Sequence, residues 1–309
     1  MLALCLAACD DTEPDAAAPP DAQTPDAQPP DALAADAAAV PDATAEPDAN
    51  VRCNGHEALC ARRYDEVAYA TTHNAMATQD DAYWAPNHFN AIPTQLADGV
   101  RGLMLDTHFH DGEPRLCHGR CDLGQHLLVD VLGELRAFLE ANPREVLTII
   151  FEAYISPEQT AAAFEESGLA VYVHTLQADG PFPTLGEMVD ADRRLVVLSD
   201  SPGGPPWHHD VWSYAFETHW SVDTIEDFDC APNRGDPAHP LFILNHFITN
   251  PVAFFRVAEQ ANAEAVLLDH AQRCLAAFGR VPNFVTVDFY SLGDVLSVVD
   301  TLNGVAAAD

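Results

Sequence analysis

Two histidines in this chain sit where proton transfer chemistry would need them. His73 lies in Thr72-His73-Asn74-Ala75 and His118 in Leu116-Cys117-His118-Gly119, with the carboxylates Asp106 and Glu152 between and after them. An unperturbed imidazole titrates at about pH 6.5, so one of a pair can take a proton from a reacting atom while the other gives one up. A single histidine at a strand end is more often structural. Two of them, gathered with Asp106 and Glu152 at one predicted mouth, make an acid–base site the better reading.

The elements that must position them are legible as seven apolar, β-branched-rich runs that end abruptly in His, Asn, Asp or Glu. They cover residues 67–74, 102–106, 146–152, 194–200, 214–217, 241–246 and 284–288. Continuous apolar runs suit strands buried on both faces, as in a parallel sheet wrapped by helices. Core strands have no reason to end repeatedly in ionisable groups, whose unpaired burial costs several kcal/mol. Polar residues collect at the C-terminal strand tips when a (β/α)8 barrel of the TIM type builds its active site there. That is the fold expected here, with the remaining strand placed near residues 263–268. Residues 203–213, rich in Pro and Gly, read as a loop whose Trp207 and Trp212 could dip into a lipid interface, although loop aromatics more often pack back onto their own protein. The adjacent His208 and His209 would point to opposite faces of an extended segment, which argues against a zinc pair.

The 309 residues fit one barrel of about 250 residues plus a tail. Residues 51–309 are assigned to the barrel. Residues 10–50 contain the triplet Pro-Asp-Ala six times, without an aromatic residue or a positive charge. They cannot bury enough apolar area to offset ordering entropy, so a disordered, extended acidic linker is expected, reaching on the order of 100 Å at ~3 Å per residue. Residues 1–9 are apolar, too short to span a membrane and without a basic leader. Leu6-Ala7-Ala8-Cys9 resembles a bacterial lipobox, which would make Cys9 a lipidated anchor point for a membrane-tethered or secreted extracytoplasmic protein. The alternatives are a start further upstream or an accidental apolar N-terminus.

Net charge is −34 and all 14 basic residues are Arg. The absence of Lys excludes Schiff-base chemistry, a lysine base and a P-loop. The acidity opposes nucleic-acid binding and offers no polybasic face to anionic membranes. A monomer with a solvated acidic surface is expected. Cys53, Cys60, Cys117, Cys121, Cys230 and Cys274 form an even set that suits an oxidising compartment. Pairing neighbours in that order is the simplest of fifteen connectivities. Cys117 and Cys121 lack the second matching pair that a zinc site needs.

The histidine motifs, with Gly99-Val-Arg-Gly-Leu-Met-Leu-Asp106-Thr-His108, Phe138-Leu-Glu-Ala-Asn-Pro-Arg-Glu-Val, Pro183-Thr-Leu-Gly-Glu-Met, Leu244-Asn-His-Phe and Pro282-Asn-Phe-Val-Thr-Val-Asp-Phe-Tyr, resemble in order the X-domain of phosphatidylinositol-specific phospholipase C and its relatives, the PLC-like phosphodiesterases. The likeness covers residues 64–303, most closely in the single-domain type. It implies the barrel and cleavage of a phospholipid head group by an internal nucleophile. His73 would take the proton from the inositol 2-hydroxyl and His118 would protonate the leaving oxygen. Asp106 would sit beside the phosphate, with Arg101 or Arg194 balancing charge. In a closed barrel the last strand adjoins the first, so Asp288 could orient His73. A disulfide between Cys117 and Cys121 would clamp His118. The tips at Glu217, Asn245 and His246 are left for the head-group pocket, along with Asp200.

The resemblance also implies a metal question. Calcium-dependent members would place Asn74, Asp106 and Glu152 around Ca²⁺, but their further Glu is Met104 here. Metal-free members carry an Arg where this chain has His108. Three oxygen ligands with waters and a phosphate oxygen could still serve a hard cation. Rival readings are a related phosphodiesterase of glycerophosphodiester or sphingomyelin type, and a zinc amidohydrolase built on His108, His110, His219, His246 and Asp288. A non-catalytic surface lipoprotein is a third.

Overall fold

Runs dense in Val, Ile, Leu, Phe and Thr favour strands that bury both faces. In the computed structural model, which describes residues 51–177, 180–248 and 253–305, each of the seven runs contributes one. In chain order the elements are β1 (Tyr69–Thr72), α1 (Ile92–Asp98), β2 (Gly102–His110), β3 (Glu113–Leu116), β4 (His126–Leu127), α2 (Leu128–Ala141), β5 (Leu147–Ala153), α3 (Pro157–Ser167) and α4 (Leu185–Asp190). There follow β6 (Leu195–Ser199), β7 (His208–Asp210), β8 (Ala215–Thr218), β9 (Pro232–Gly235), β10 (Leu241–Asn245), α5 (Phe255–Ala261), α6 (Glu264–Phe278), β11 (Phe284–Val287) and α7 (Val295–Asn303). Glu46–Asp309 make up one compact unit. Cys9 and the acidic segment 10–50 lie outside the described residues.

Local chemistry explains the boundaries. Ser156 starts α3 by accepting the Gln159 N–H, Pro157 occupies the first turn, and Gly168 ends the helix at φ 73°. Gly102 opens β2 because a Cβ there would lie 2.2 Å from Thr71 Oγ1 on the paired strand β1.

Nine strands lie along one curled path, β7-β6-β5-β2-β1-β11-β10-β8-β9. From β7 through β8 all neighbours are parallel, while β9 is antiparallel on β8 and β3 is antiparallel on β2. The expected closed TIM barrel is therefore corrected to an open one: no pairing among the described residues joins β7 to β8. Only residues 211–214 connect those two strands, whereas parallel neighbours need a crossover of about a dozen residues. The strand expected near 263–268 is also corrected. That stretch belongs to α6, whose buried Leu267, His270, Ala271 and Cys274 recur at helical spacing. A further strand, β7, arises inside the segment read as a loop.

Strand alternation sorts the side chains into two layers. Leu103, Leu105, Ile149, Phe151, Val197, Phe242, Leu244, Val285 and Val287 pack outward with residues of α2, α6 and α7. Ile150, Val196, Leu198, Ile243 and Phe284 fill the inside of the curl, against which Met104 packs. The inward register continues to the tips and carries Asp106, Glu152, Asp200, Glu217 and Asn245 into one mouth.

Candidate active site

At the C-terminal strand tips a cavity of about 590 Å³ is lined by His73, Asn74, Met104, Asp106, His108, His118 and Glu152 on one side. Asp200, Trp212, Glu217, Trp220, Arg234, Asn245 and Phe247 line the other.

His73 follows β1 and is held on several sides. Its Nδ1–H donates to Asp288 Oδ1 at 3.0 Å, and Asn87 Nδ2 donates to the same oxygen at 2.8 Å. The His73 carbonyl accepts from His88 Nε2 at 2.8 Å, and its ring stacks on Phe247 at 3.9 Å between centroids, 6° from parallel. Asn74 takes the left-handed conformation (φ 50°), which Asn tolerates. Oriented so that donors face acceptors, its amide donates to Asp106 Oδ1 and Oδ2 at 3.1 and 3.0 Å and accepts from His73 Nε2 at 3.1 Å. Beyond Asp288, Phe289 is a bulky residue at φ 46°. Its N–H donates to the Asn87 carbonyl at 2.7 Å, and Asn262 Nδ2 donates to the Asp288 carbonyl at 2.8 Å. Strain of this kind, on the order of 1–3 kcal/mol, persists where neighbours over-determine the backbone.

His118 stands at the rim between Cys117 and Cys121, which are disulfide-bonded, and it donates to the Ala85 carbonyl. The Cys117 N–H donates to the Asp106 carbonyl at 3.1 Å, tying this loop to the β2 tip. Cys53–Cys60 and Cys230–Cys274 are the other bridges, so all three pairs join the neighbours expected.

The charges are uneven. Burial first, then the Glu152 charge, pushes the Asp106 carboxyl up to about 8. Burial opposes charging His73, but Asp288, by charge and hydrogen bond, with Asp106 and Glu152 behind it, outweighs that and raises its pKa. His118 is lowered by desolvation and then by the charge of His73. Across the cavity Arg234 Nε donates to Glu217 Oε1 at 2.6 Å and Nη2 to Oε2 at 3.2 Å, while Asn233 and Asn245 also donate to Glu217. Arg234 lies over the Trp212 ring at 4.5 Å.

Several expected contributors are elsewhere. Arg101 and Arg194 precede their strands and so lie at the opposite end of the sheet. Arg101 pairs with Glu145 at 2.6 Å; Arg194 is buried, pairs with Asp192 and donates to the Leu139 and Asn142 carbonyls around the end of α2. Neither can balance a phosphate at the mouth. His246, one residue past Asn245, alternates outward, where its Nε2 meets the Ala261 carbonyl and its Nδ1 the His270 ring. With His246 turned away and Asp288 bound to His73, the amidohydrolase set does not converge. Trp207 packs on Phe164 at 4.8 Å and Trp212 under Arg234, so neither is a free interfacial residue. His208 bonds the Gly203 carbonyl and His209 accepts the Leu176 N–H, in opposite directions. Asn87, Phe247, Tyr154 and Arg234 escaped the sequence reading. Asn87 and Arg234 sit in polar loop-like segments with no motif, but Phe247, an aromatic residue just past a strand tip, could have been suspected.

Asp106 faces Glu152 in the β2–β5 register and both offer carboxylate oxygens, while Asn74 can add its amide oxygen only by turning from the orientation above, in which its Nδ2 meets Asp106. Glu152 also accepts from the Tyr154 hydroxyl, and Met104 lines the same wall without offering a ligand. Hard donors bearing negative charge that raises Asp106's proton affinity fit a cation such as Ca²⁺ in kind. Among the described residues, the one tight group of three possible ligands is Cys230, His270 and Cys274, where both sulfurs are in a disulfide.

An open barrel of parallel strands, with two histidines, four carboxylates and the His73–Asp288 bond gathered at its mouth, defines the α/β architecture of this chain. The family model of the PI-PLC X domain (PI-PLC X 1) matches residues 59–303, and the chain belongs to that family. A PI-PLC X domain-containing protein 1 of Arthroderma benhamiae is 30% identical over 275 residues, 82% of this chain and 89% of its own length. A PI-PLC X domain-containing protein of Arabidopsis thaliana is 30% identical over 273 residues, and an uncharacterized secreted protein of Arthroderma benhamiae 28% over 289. The matches cover 78% and 84% of this chain, but only 62% and 65% of those two relatives. Among solved structures, phosphatidylinositol-specific phospholipase C of Staphylococcus aureus shares the fold at TM-score 0.57 and 12% identity, over 81% of this chain and 94% of that one.

Proposed function

We propose that this chain is an exported phosphodiesterase that cleaves a phospholipid of the phosphatidylinositol type at the diester bond. The observation that carries the reading is the His73–Asp288 bond at the cavity wall with His118 at the rim of the same cavity. His73 Nε2 takes the proton of the inositol 2-hydroxyl as that oxygen bonds to phosphorus. The bond from phosphorus to the diacylglycerol oxygen breaks, and His118 returns a proton to that oxygen. The products are a cyclic inositol phosphate and diacylglycerol. Each transfer contributes roughly 10²–10⁴-fold.

In the free chain the surroundings raise the proton affinity of His73 and lower that of His118, a bias opposite to the one the first step uses. A phosphate arriving beside His118 raises its proton affinity. Asn74, Asp106 and Glu152 would hold a divalent cation, which when bound would offset the phosphate's charge. The head group is read as an uncharged polyol. Of the described charged groups in the wall, Asp106, Glu152, Asp200 and Glu217 are carboxylates, and Arg234 is already matched by Glu217.

Export is supported by the three disulfides, which suit an oxidising compartment, and by the secreted relative. No helix among the described residues is long and apolar enough to cross a membrane. The test is ³¹P NMR of phosphatidylinositol incubated with the protein, with and without chelator. A cyclic phosphate signal lost in His73→Ala and His118→Ala is expected. Glycerol or choline release without a cyclic product would move the assignment to another phosphodiesterase, and no turnover at all would remove it.

A further inference from the structure

His246 and His270 are buried outside the cavity, and no step of the proposed reaction uses them. Each ring is fixed from behind. His246 Nε2–H donates to the carbonyl of Ala261, the last residue of α5, at 2.9 Å, and His270 Nε2–H donates to the Asp229 carbonyl at 2.9 Å. The Cys230–Cys274 disulfide ties the residue after Asp229 to α6 one turn beyond His270, which keeps that carbonyl in place. Phe228 lies against both rings, with centroids 4.1 Å from His246 and 5.2 Å from His270. Between the rings His246 Nδ1 meets His270 Nδ1 at 2.8 Å. Each of these three contacts needs a proton, but two neutral imidazoles carry one N–H apiece. With both Nε2 protons committed to carbonyls, a neutral pair sets one Nδ1 lone pair against the other. Moving a proton from Nε2 to Nδ1 only shifts the opposed lone pairs to a carbonyl. All three contacts close together only when the pair holds a third proton and a single positive charge.

We propose that this pair is an acid-operated brace: His246 and His270 share one proton between their Nδ1 atoms in acid and part when it leaves, which frees the segment that carries Phe247. The segment is short and linked on both sides. The His246 N–H donates to the Thr286 carbonyl at 2.9 Å, Phe247 stacks on His73 at 3.9 Å, and Ile248 packs on the small cluster of Val222, Phe228 and Ala261. Opening the pair therefore disturbs packing one residue away from a ring in the cavity wall. The groups facing the pair are Arg273 and Asp269 of α6 and Asp229 before β9. Asp288, after β11, lines the same crevice as His246, to which α5 turns Ala258 and Ala261. Burial, then the charges of His270 and Arg273, lowers the proton affinity of His246. Burial is also the main influence lowering His270, against the pull of the Asp229 carbonyl and of the Asp229 and Asp269 charges. The third proton therefore binds below the ordinary imidazole range of about pH 6.5. The wall at Phe247 is braced in acid and adjustable at neutral pH.

The test is ¹⁵N NMR of the histidine rings in the whole protein, taken downward from neutral pH, with hydrogen exchange at residues 246–248 corrected for its intrinsic pH dependence. In the wild type the two rings take up one proton between them, and their nitrogen signals move at one shared midpoint. At that midpoint the Phe247 ring signals shift and exchange at 246–248 slows. In His270→Gln the amide offers one N–H to His246 Nδ1 and another to the Asp229 carbonyl at every pH. The step is lost there, and exchange stays slow across the range. If that variant does not fold, the wild-type titration decides alone. Rings that titrate separately, a pair that stays neutral until the protein unfolds in acid, or Phe247 and exchange signals that ignore the step would overturn the proposal. So would a His270→Gln that keeps the wild-type step. No substrate enters the test, so its failure and that of the phosphodiesterase reading are told apart.

Discussion

Replacing Asp288 by Asn separates the charge of that carboxylate from its shape. Asp288 is 2% exposed and shares one oxygen between His73 Nδ1–H and Asn87 Nδ2. A hydrogen bond to a charged partner contributes about 1.5–3 kcal/mol, and every 1.36 kcal/mol is tenfold. Proton binding at His73 is therefore expected to weaken by a factor of roughly 10–100 in Asp288→Asn, with burial, the largest influence on His73, then opposed only by Asp106 and Glu152. The assay is an NMR titration of the His73 ring carbons, assigned by comparison with His73→Gln. The stability consequence has a definite sign. His73's folded pKa lies above its unfolded value, so its contribution is full at acid pH and disappears as pH rises through the folded value. The gap between wild type and variant should accordingly be widest at acid pH and narrow towards alkaline pH. Turnover should fall by as much as about 10⁴, since an amide can hold the imidazole in the wrong tautomer. A His73 titration that does not move, with turnover retained, would refute the orienting role.

Two further outcomes are expected. Arg194→Met leaves the Leu139 and Asn142 carbonyls without their donor at about 1–3 kcal/mol each, about 3–5 kcal/mol together, while the exposed Asp192 turns to water. At about 2–4 °C per kcal/mol the melting temperature falls by roughly 6–20 °C, while activity per folded molecule at low temperature is kept; lost activity with an unchanged melting temperature would return Arg194 to the phosphate. Asp106 holds its proton to about pH 8, far above an unfolded aspartate, so wild-type stability declines as pH rises through that window. Asp106→Asn should flatten the decline in urea titrations at pH 5 and pH 9, and parallel profiles for the two proteins would count against the burial argument.

What the amino-acid order determined by itself was local and periodic. β-Branched runs ending in polar residues specify strands and their tips whatever surrounds them, which is why seven strands, the mouth and the adjacency of Asp288 to His73 were legible. The three neighbour disulfides were expected as the simplest connectivity. What only the tertiary structure decided depended on return paths and on the face each residue meets. Residues 211–214 are too short to carry the chain back, so the barrel stays open between β7 and β8. A single step along β10 sends Asn245 inward and His246 out to His270. Arg101 and Arg194 occupy the wrong ends of strands whose positions were correctly placed. Arg234 and Asn87 come from segments whose local patterns carry no instruction about where they fold. Their places follow from contacts with Glu217, with Asp288, and with the mouth that the parallel strands build together, and these contacts exist only once the strands are side by side.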